Sequence, residues 1–130
     1  MEKVYLVGNE LVKEDSLPIE LKEDLVKMFP NILFEEFDPT ENLPEDSSNL
    51  VLIDTVMGIS VPVVFTDIDV FSSQKAYSMH DFDLGWQLKL YKKLKMIEKV
   101  SIIGIPMGME KTLILEKIKP LLESLFPVNL

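Results

Sequence analysis

The stretch Leu50-Val51-Leu52-Ile53 constrains this chain most, because four consecutive apolar residues put hydrophobic side chains on both faces of any extended segment. Such a strand is stable when both faces are covered, as in a central parallel strand with helices on either side. Asp54 follows the run directly, so a carboxylate stands where a core strand would end. A charge beside a buried run costs free energy unless something pairs with it, which makes Asp54 the first candidate for a functional role.

The flanking sequence supplies the covering layers. Val4-Tyr5-Leu6-Val7 favours β-structure and stops at Gly8, and Pro18 then suits the first turn of a helix reaching about Phe29, with Leu21, Leu25, Met28 and Phe29 on one stripe. Pro30-Asn31 breaks the chain before a second strand, Ile32 to Phe37, which a polar stretch from Asp38 to Asn49 follows. Val61 to Ile68 is expected as a further strand, too near the third for an intervening helix and therefore an antiparallel edge. Asp83 to Met96 has helical spacing, with Leu84, Leu88, Tyr91 and Leu94 turned inward and Lys89, Lys92, Lys93 and Lys95 facing water. Lys99 to Ile105 returns as strand. Glu110 to Phe126 forms a last helix with Leu113, Leu115, Ile118, Leu121, Leu122 and Leu125 as its apolar stripe, and Pro120 is expected to kink or interrupt it. The alternation predicts a single α/β domain over residues 1–130 in three layers: a mostly parallel sheet with helices on both faces and one antiparallel edge strand.

A chain of 130 residues can bury about two thirds of its unfolded surface, enough for one core without staples. Its apolar runs are too short to cross a bilayer, so no membrane insertion is expected, and the opening residues lack the pattern of a secretion signal, which makes the cytoplasm the expected location. The absence of cysteine removes disulfides, thiolate metal sites and thiol nucleophiles together. A net charge of −9 and a complete lack of arginine argue against a nucleic-acid backbone as partner.

Two further metal-type donors occur in settings comparable to that of Asp54: Asp15, after the first strand, and His80, the single histidine, on what is expected to be a loop after the fourth strand. Ligands in open parallel sheets bind beyond the carboxyl ends of the strands, where the winding reverses, and the loops after strands one and three approach each other there. Two carboxylates and an imidazole leave coordination positions open for water or substrate and accept zinc, nickel or cobalt. Each donor also has a structural reading: Asp15 as cap of the helix near Pro18, Asp54 as a solubilising group, His80 as an ordinary hydrogen-bonded side chain. Glu14 competes with Asp15 for the same role. Gly8-Asn9 lacks the spacing of a dinucleotide or phosphate loop, and no serine sits in a nucleophile elbow. Met107 and Met109 point to packing or an adaptable contact surface.

A receiver-type signalling domain also carries an acidic pair after strand one and an aspartate ending strand three. The match is poor, because Glu14-Asp15 lies six residues beyond Gly8 and Ile105-Pro106 stands where lysine-proline is expected.

Gly8-Asn9-Glu10-Leu11-Val12-Lys13-Glu14-Asp15 resembles the G-N-x-L-x-x-D-[DE] opening of the nickel-iron hydrogenase maturation proteases. Leu52-Ile53-Asp54-Thr55-Val56 resembles that family's strand-end aspartate segment, Ser78-Met79-His80-Asp81 with Leu84 its S-x-H-x-x-x-L segment, and Gly104-Ile105-Pro106 its final strand end. The resemblance implies an endopeptidase that trims the carboxyl terminus of an immature hydrogenase large subunit. It implies that Asp15, Asp54 and His80 contact metal and carry catalysis, with Glu14 as acidic neighbour. The nickel is expected to arrive with the precursor, zinc or cadmium to substitute in vitro, and the protease to act as a monomer. The chain departs from the pattern at Ser16-Leu17-Pro18, where the family has glycine, another residue and glycine, and at Asp38-Pro39-Thr40, where it has D-x-G-T.

Overall fold

A computed structural model of the chain describes residues 2–8, 16–38, 49–75 and 79–127, with the backbone alone at 72–75 and 79–85. Among the described residues five strands, β1 (Glu2–Val7), β2 (Ile32–Phe37), β3 (Asn49–Val56), β4 (Val63–Phe65) and β5 (Lys99–Pro106), form one sheet in the order β2-β1-β3-β5-β4. The pairs β1–β2, β1–β3 and β3–β5 are parallel and β4–β5 is antiparallel, so the expected mostly parallel sheet with an antiparallel edge is present. The apolar run from Leu50 to Ile53 lies inside β3, between β1 and β5, and is buried along its length.

Strand alternation divides the core in two. Val51 and Ile53 of β3 join Val4, Leu6, Ile103 and Ile105 on one face, while Leu50, Leu52 and Val56 join Tyr5, Val7 and Ile102 on the other. The first face is covered by α1 (Leu17–Glu20), α2 (Lys22–Met28) and α5 (Lys111–Leu125), through Leu21, Leu25, Ile114, Ile118 and Leu122. The second is covered by α3 (Ile68–Lys75) and α4 (Met79–Lys93), through Phe71 and Leu88. Each such fully buried aliphatic side chain contributes roughly 1.5–3 kcal/mol relative to exposure.

Several boundaries differ from the sequence expectation. The helix expected from Pro18 to Phe29 is divided at Leu21, where the N–H bonds back to Pro18 O at 3.2 Å and tightens the turn. The fourth strand spans three residues, because Asp67 starts a helix: its Oδ1 accepts from the N–H groups of Asp69 at 2.8 Å and Val70 at 3.4 Å. That helix, α3, was not expected. The next one, α4, begins at Met79 instead of Asp83 and ends before Met96. It is closed by Lys95 at φ 61°, with Lys95 N bonded to Lys92 O at 3.1 Å and Met96 N to Tyr91 O at 2.9 Å. Leu94 therefore lies beyond the helix and is exposed, whereas Lys89, Lys92, Lys93 and Lys95 face water as expected. In α5 the buried stripe is Ile114, Ile118 and Leu122, with Leu113 39% exposed, and the helix runs through Pro120 without interruption.

Candidate active site

The winding direction reverses between β1 and β3, because β2 lies on one side of β1 and β3 and β5 on the other. The carboxyl ends of β1 and β3 therefore flank the crevice where such sheets bind ligands. Asp54 is at that end of β3, in register with Gly104 of β5, and is 4% exposed. The Thr55 N–H donates to Asp54 Oδ1 at 2.9 Å, which restricts rotation of the carboxylate. By alternation Asp54 shares the sheet face of Leu52 and Val56, against which α3 and α4 pack.

His80 lies in the first turn of α4 and not on a loop, because no proline or glycine interrupts the residues between Met79 and Leu84. Five residues connect the end of α4 to β5, so the helix runs back from the amino end of β5 toward the carboxyl edge of the sheet. Its 15 residues span about 22 Å, so His80, in the first turn, lies about 20 Å along the helix from the end that leads into β5. The imidazole lies outside the described side chains, and Glu14 and Asp15 lie outside the described residues. Among the described residues there is no group of three metal-type donors. The N-cap position of α1 is Ser16, whose Oγ donates to Glu20 Oε2 at 2.9 Å, so the capping position itself is not that of Asp15.

Gly104 and the turns after β3 and β5 complete the setting. A β-carbon on Gly104 would lie 2.8 Å from Phe65 Cε2 and 2.9 Å from Val56 Cγ2, so only glycine admits these side chains beside Asp54. A glycine inside an otherwise apolar strand is the sequence signal for such an approach. β3 and β5 both end in a Met-Gly turn, with Gly58 at φ 83° and Gly108 at φ 79°, and expose Met57 and Met107 at the same sheet edge. On the opposite face from Asp54, Leu17, Thr55, Met107 and Met109 line an open cavity of about 540 Å³ rimmed by a 3.1 Å ion pair between Lys111 and Glu20.

A buried carboxylate held at the carboxyl edge of a parallel sheet, with a histidine-bearing helix arriving on its face, is suited to binding a cation or handling a proton. No protein-family model and no curated protein sequence matches the chain. Solved structures do. An endopeptidase from Escherichia coli determined in solution superposes with a TM-score of 0.68 at 16% identity, covering 98% of this chain and 93% of that one. The hydrogenase maturating endopeptidase HybD from E. coli gives a TM-score of 0.61 at 19% identity, with 98% and 91% covered. An uncharacterized protein from Wolinella succinogenes gives 0.51 at 18% identity, with 95% and 98% covered. The chain thus has the fold of the E. coli hydrogenase maturating endopeptidase over nearly its whole length.

Proposed function

We propose that this protein is an endopeptidase that removes the C-terminal extension of a nickel-loaded hydrogenase large-subunit precursor. The observation that carries the reading is the placement of Asp54, buried at the carboxyl end of β3, within a fold shared with HybD over 98% of the chain. Asp15, with Glu14 beside it, and His80 are the further residues we assign to the site, as metal contacts and catalytic groups acting with Asp54. The nickel belongs to the substrate and supplies Lewis-acid polarisation where it is bound. The chain's own part is to position the precursor: the Thr55 N–H fixes the Asp54 carboxylate in one orientation, and donors from separate segments hold the cleavable segment against it. The reaction takes place in the cytoplasm, with the protease as a monomer and zinc or cadmium able to replace nickel in vitro.

A specific observation favours a second reading, a noncatalytic maturation-binding relative. Helix α1 begins at Leu17, two residues after Asp15, where the resembling proteases carry two glycines. Incubation with nickel-loaded precursor, followed by intact-mass measurement, separates the two. Loss of a C-terminal peptide supports the protease. Precursor that is captured but never shortened supports the binding relative, and precursor neither captured nor shortened overturns both.

A further inference from the structure

Positive charge in this acidic chain is densest around the end of α4. Residues 86–99 hold five of its 13 lysines, at positions 89, 92, 93, 95 and 99, against one carboxylate, Glu98. On α4, Leu88 is fully buried, and steps of about 100° per residue put Trp86, Leu90 and Lys93 on the opposite side of the helix, with Lys89 on the flank between and Lys92 exposed nearer the packed side. Trp86, the single tryptophan, is 58% exposed there. Lys89, Lys92 and Lys93 border a shallow depression of about 480 Å³ shared with the segment from Thr66 to Asp69. Both acids of that segment are engaged: Asp67 caps α3, and Asp69 pairs with Lys89 at 3.3 Å. Among the described residues, no carboxylate lies within ion-pair distance of Lys92 or Lys93.

Lysines in the last turn of a helix offset its dipole, and that accounts for Lys92 and Lys93. It does not account for Trp86, which sits in the middle of α4 and leaves an indole in water about two turns before them. An exposed aromatic flanked by cations is the composition of a contact surface. We propose that this side of α4 docks an acidic segment of a partner protein, with carboxylates at Lys92 and Lys93 and an apolar side chain covering Trp86. Charge complementarity selects this occupant. An acidic segment is repelled by the rest of a chain of net charge −9 and attracted here, so the patch also fixes the direction of approach. A nucleic acid would bring a continuous phosphate backbone against the same negative surface with no arginine to meet it. A membrane would require the apolar side of α4, which is already spent on Leu88 and the core. The surface begins about 9 Å along the helix from His80, at Trp86, and extends to Lys93, so it is separate from the candidate active site and does not rest on the proposed protease function.

Trp86 itself reports occupancy. The full chain is titrated with a short peptide of glutamate and aspartate carrying one central leucine, and intrinsic fluorescence is followed. The expected result is a saturable blue shift that weakens as salt is added, and that requires about tenfold more peptide in the Lys92→Glu/Lys93→Glu variant. Should charge reversal disturb folding, Lys92→Gln/Lys93→Gln serves, with a smaller loss in the same direction. Calorimetric titration of Trp86→Ala, expected to bind more weakly, tests the apolar contact without the fluorophore. The proposal is overturned by the absence of any saturable shift, by unchanged binding in the lysine variants, or by an equal or tighter response to a duplex oligonucleotide or to anionic phospholipid vesicles.

Discussion

Asp54 of β3 stands directly opposite Gly104 of β5, so the buried carboxylate has beside it the one strand position where Phe65 and Val56 close over bare backbone. A carboxylate in a parallel sheet needs space as well as partners, and the missing side chain at position 104 shapes the packing next to it. Gly104→Ala is therefore expected to push Phe65 and Val56 away, at a cost of about 1–3 kcal/mol. Urea unfolding measures it, and an unchanged midpoint would show that the ring moves freely. Cleavage of precursor should fall as well, because Asp54 is the register neighbour.

Asp67 supports the helix that carries Phe71 into the core beneath α4. Asp67→Ala leaves the N–H groups of Asp69 and Val70 without that carboxylate acceptor and should destabilise the protein by about 1 kcal/mol. Asp67→Asn, which retains an acceptor oxygen, should recover most of the loss in the same unfolding measurement.

Lys95 holds φ at 61°, a region where a β-carbon is unfavourable and glycine is at ease. The backbone bonds that close α4 demand this conformation. Lys95→Gly is accordingly expected to stabilise the fold by roughly 1 kcal/mol. Thermal unfolding would show it as a higher Tm, and a lower Tm would mean that the lysine side chain contributes more than the strain costs.

The sheet was legible because burial on both faces leaves an unbroken apolar signature, as in β3 and β5, and because the short spacing from β3 to β4 left no room for a crossover helix. Helix α3 was missed because the strand expected from Val61 runs on to Ile68 and the residues after it read as connection, and the competing signal, the Asp67 cap, depends on backbone geometry that spacing does not reveal. Most of the α5 stripe was legible, with Ile118 and Leu122 fully buried and Leu115, Leu121 and Leu125 packed against the core, but Ile114 takes the buried place expected of Leu113, because a leucine-rich helix offers several apolar arcs among which tertiary packing chooses. Of the site, Asp54 was legible as a charge ending a core strand. The membership of His80 in α4 was hidden because the helical pattern was read as starting at Asp83. The juxtaposition of Asp54 with Gly104 is a long-range fact of register, set by how β3 and β5 align and not by either segment alone.

The central claim is that Asp54 takes part in peptide cleavage, and one comparison tests it most directly. Wild type and Asp54→Asn are incubated with nickel-loaded hydrogenase precursor, and the precursor's intact mass is followed over time. Asparagine keeps an oxygen for the Thr55 N–H, so Tm should move by less than about 4 °C, with Asp15→Asn and His80→Ala behaving alike. The account predicts that the wild type removes a C-terminal peptide while the folded Asp54→Asn protein leaves the precursor intact. Shortening of the precursor by Asp54→Asn at the wild-type rate would contradict it.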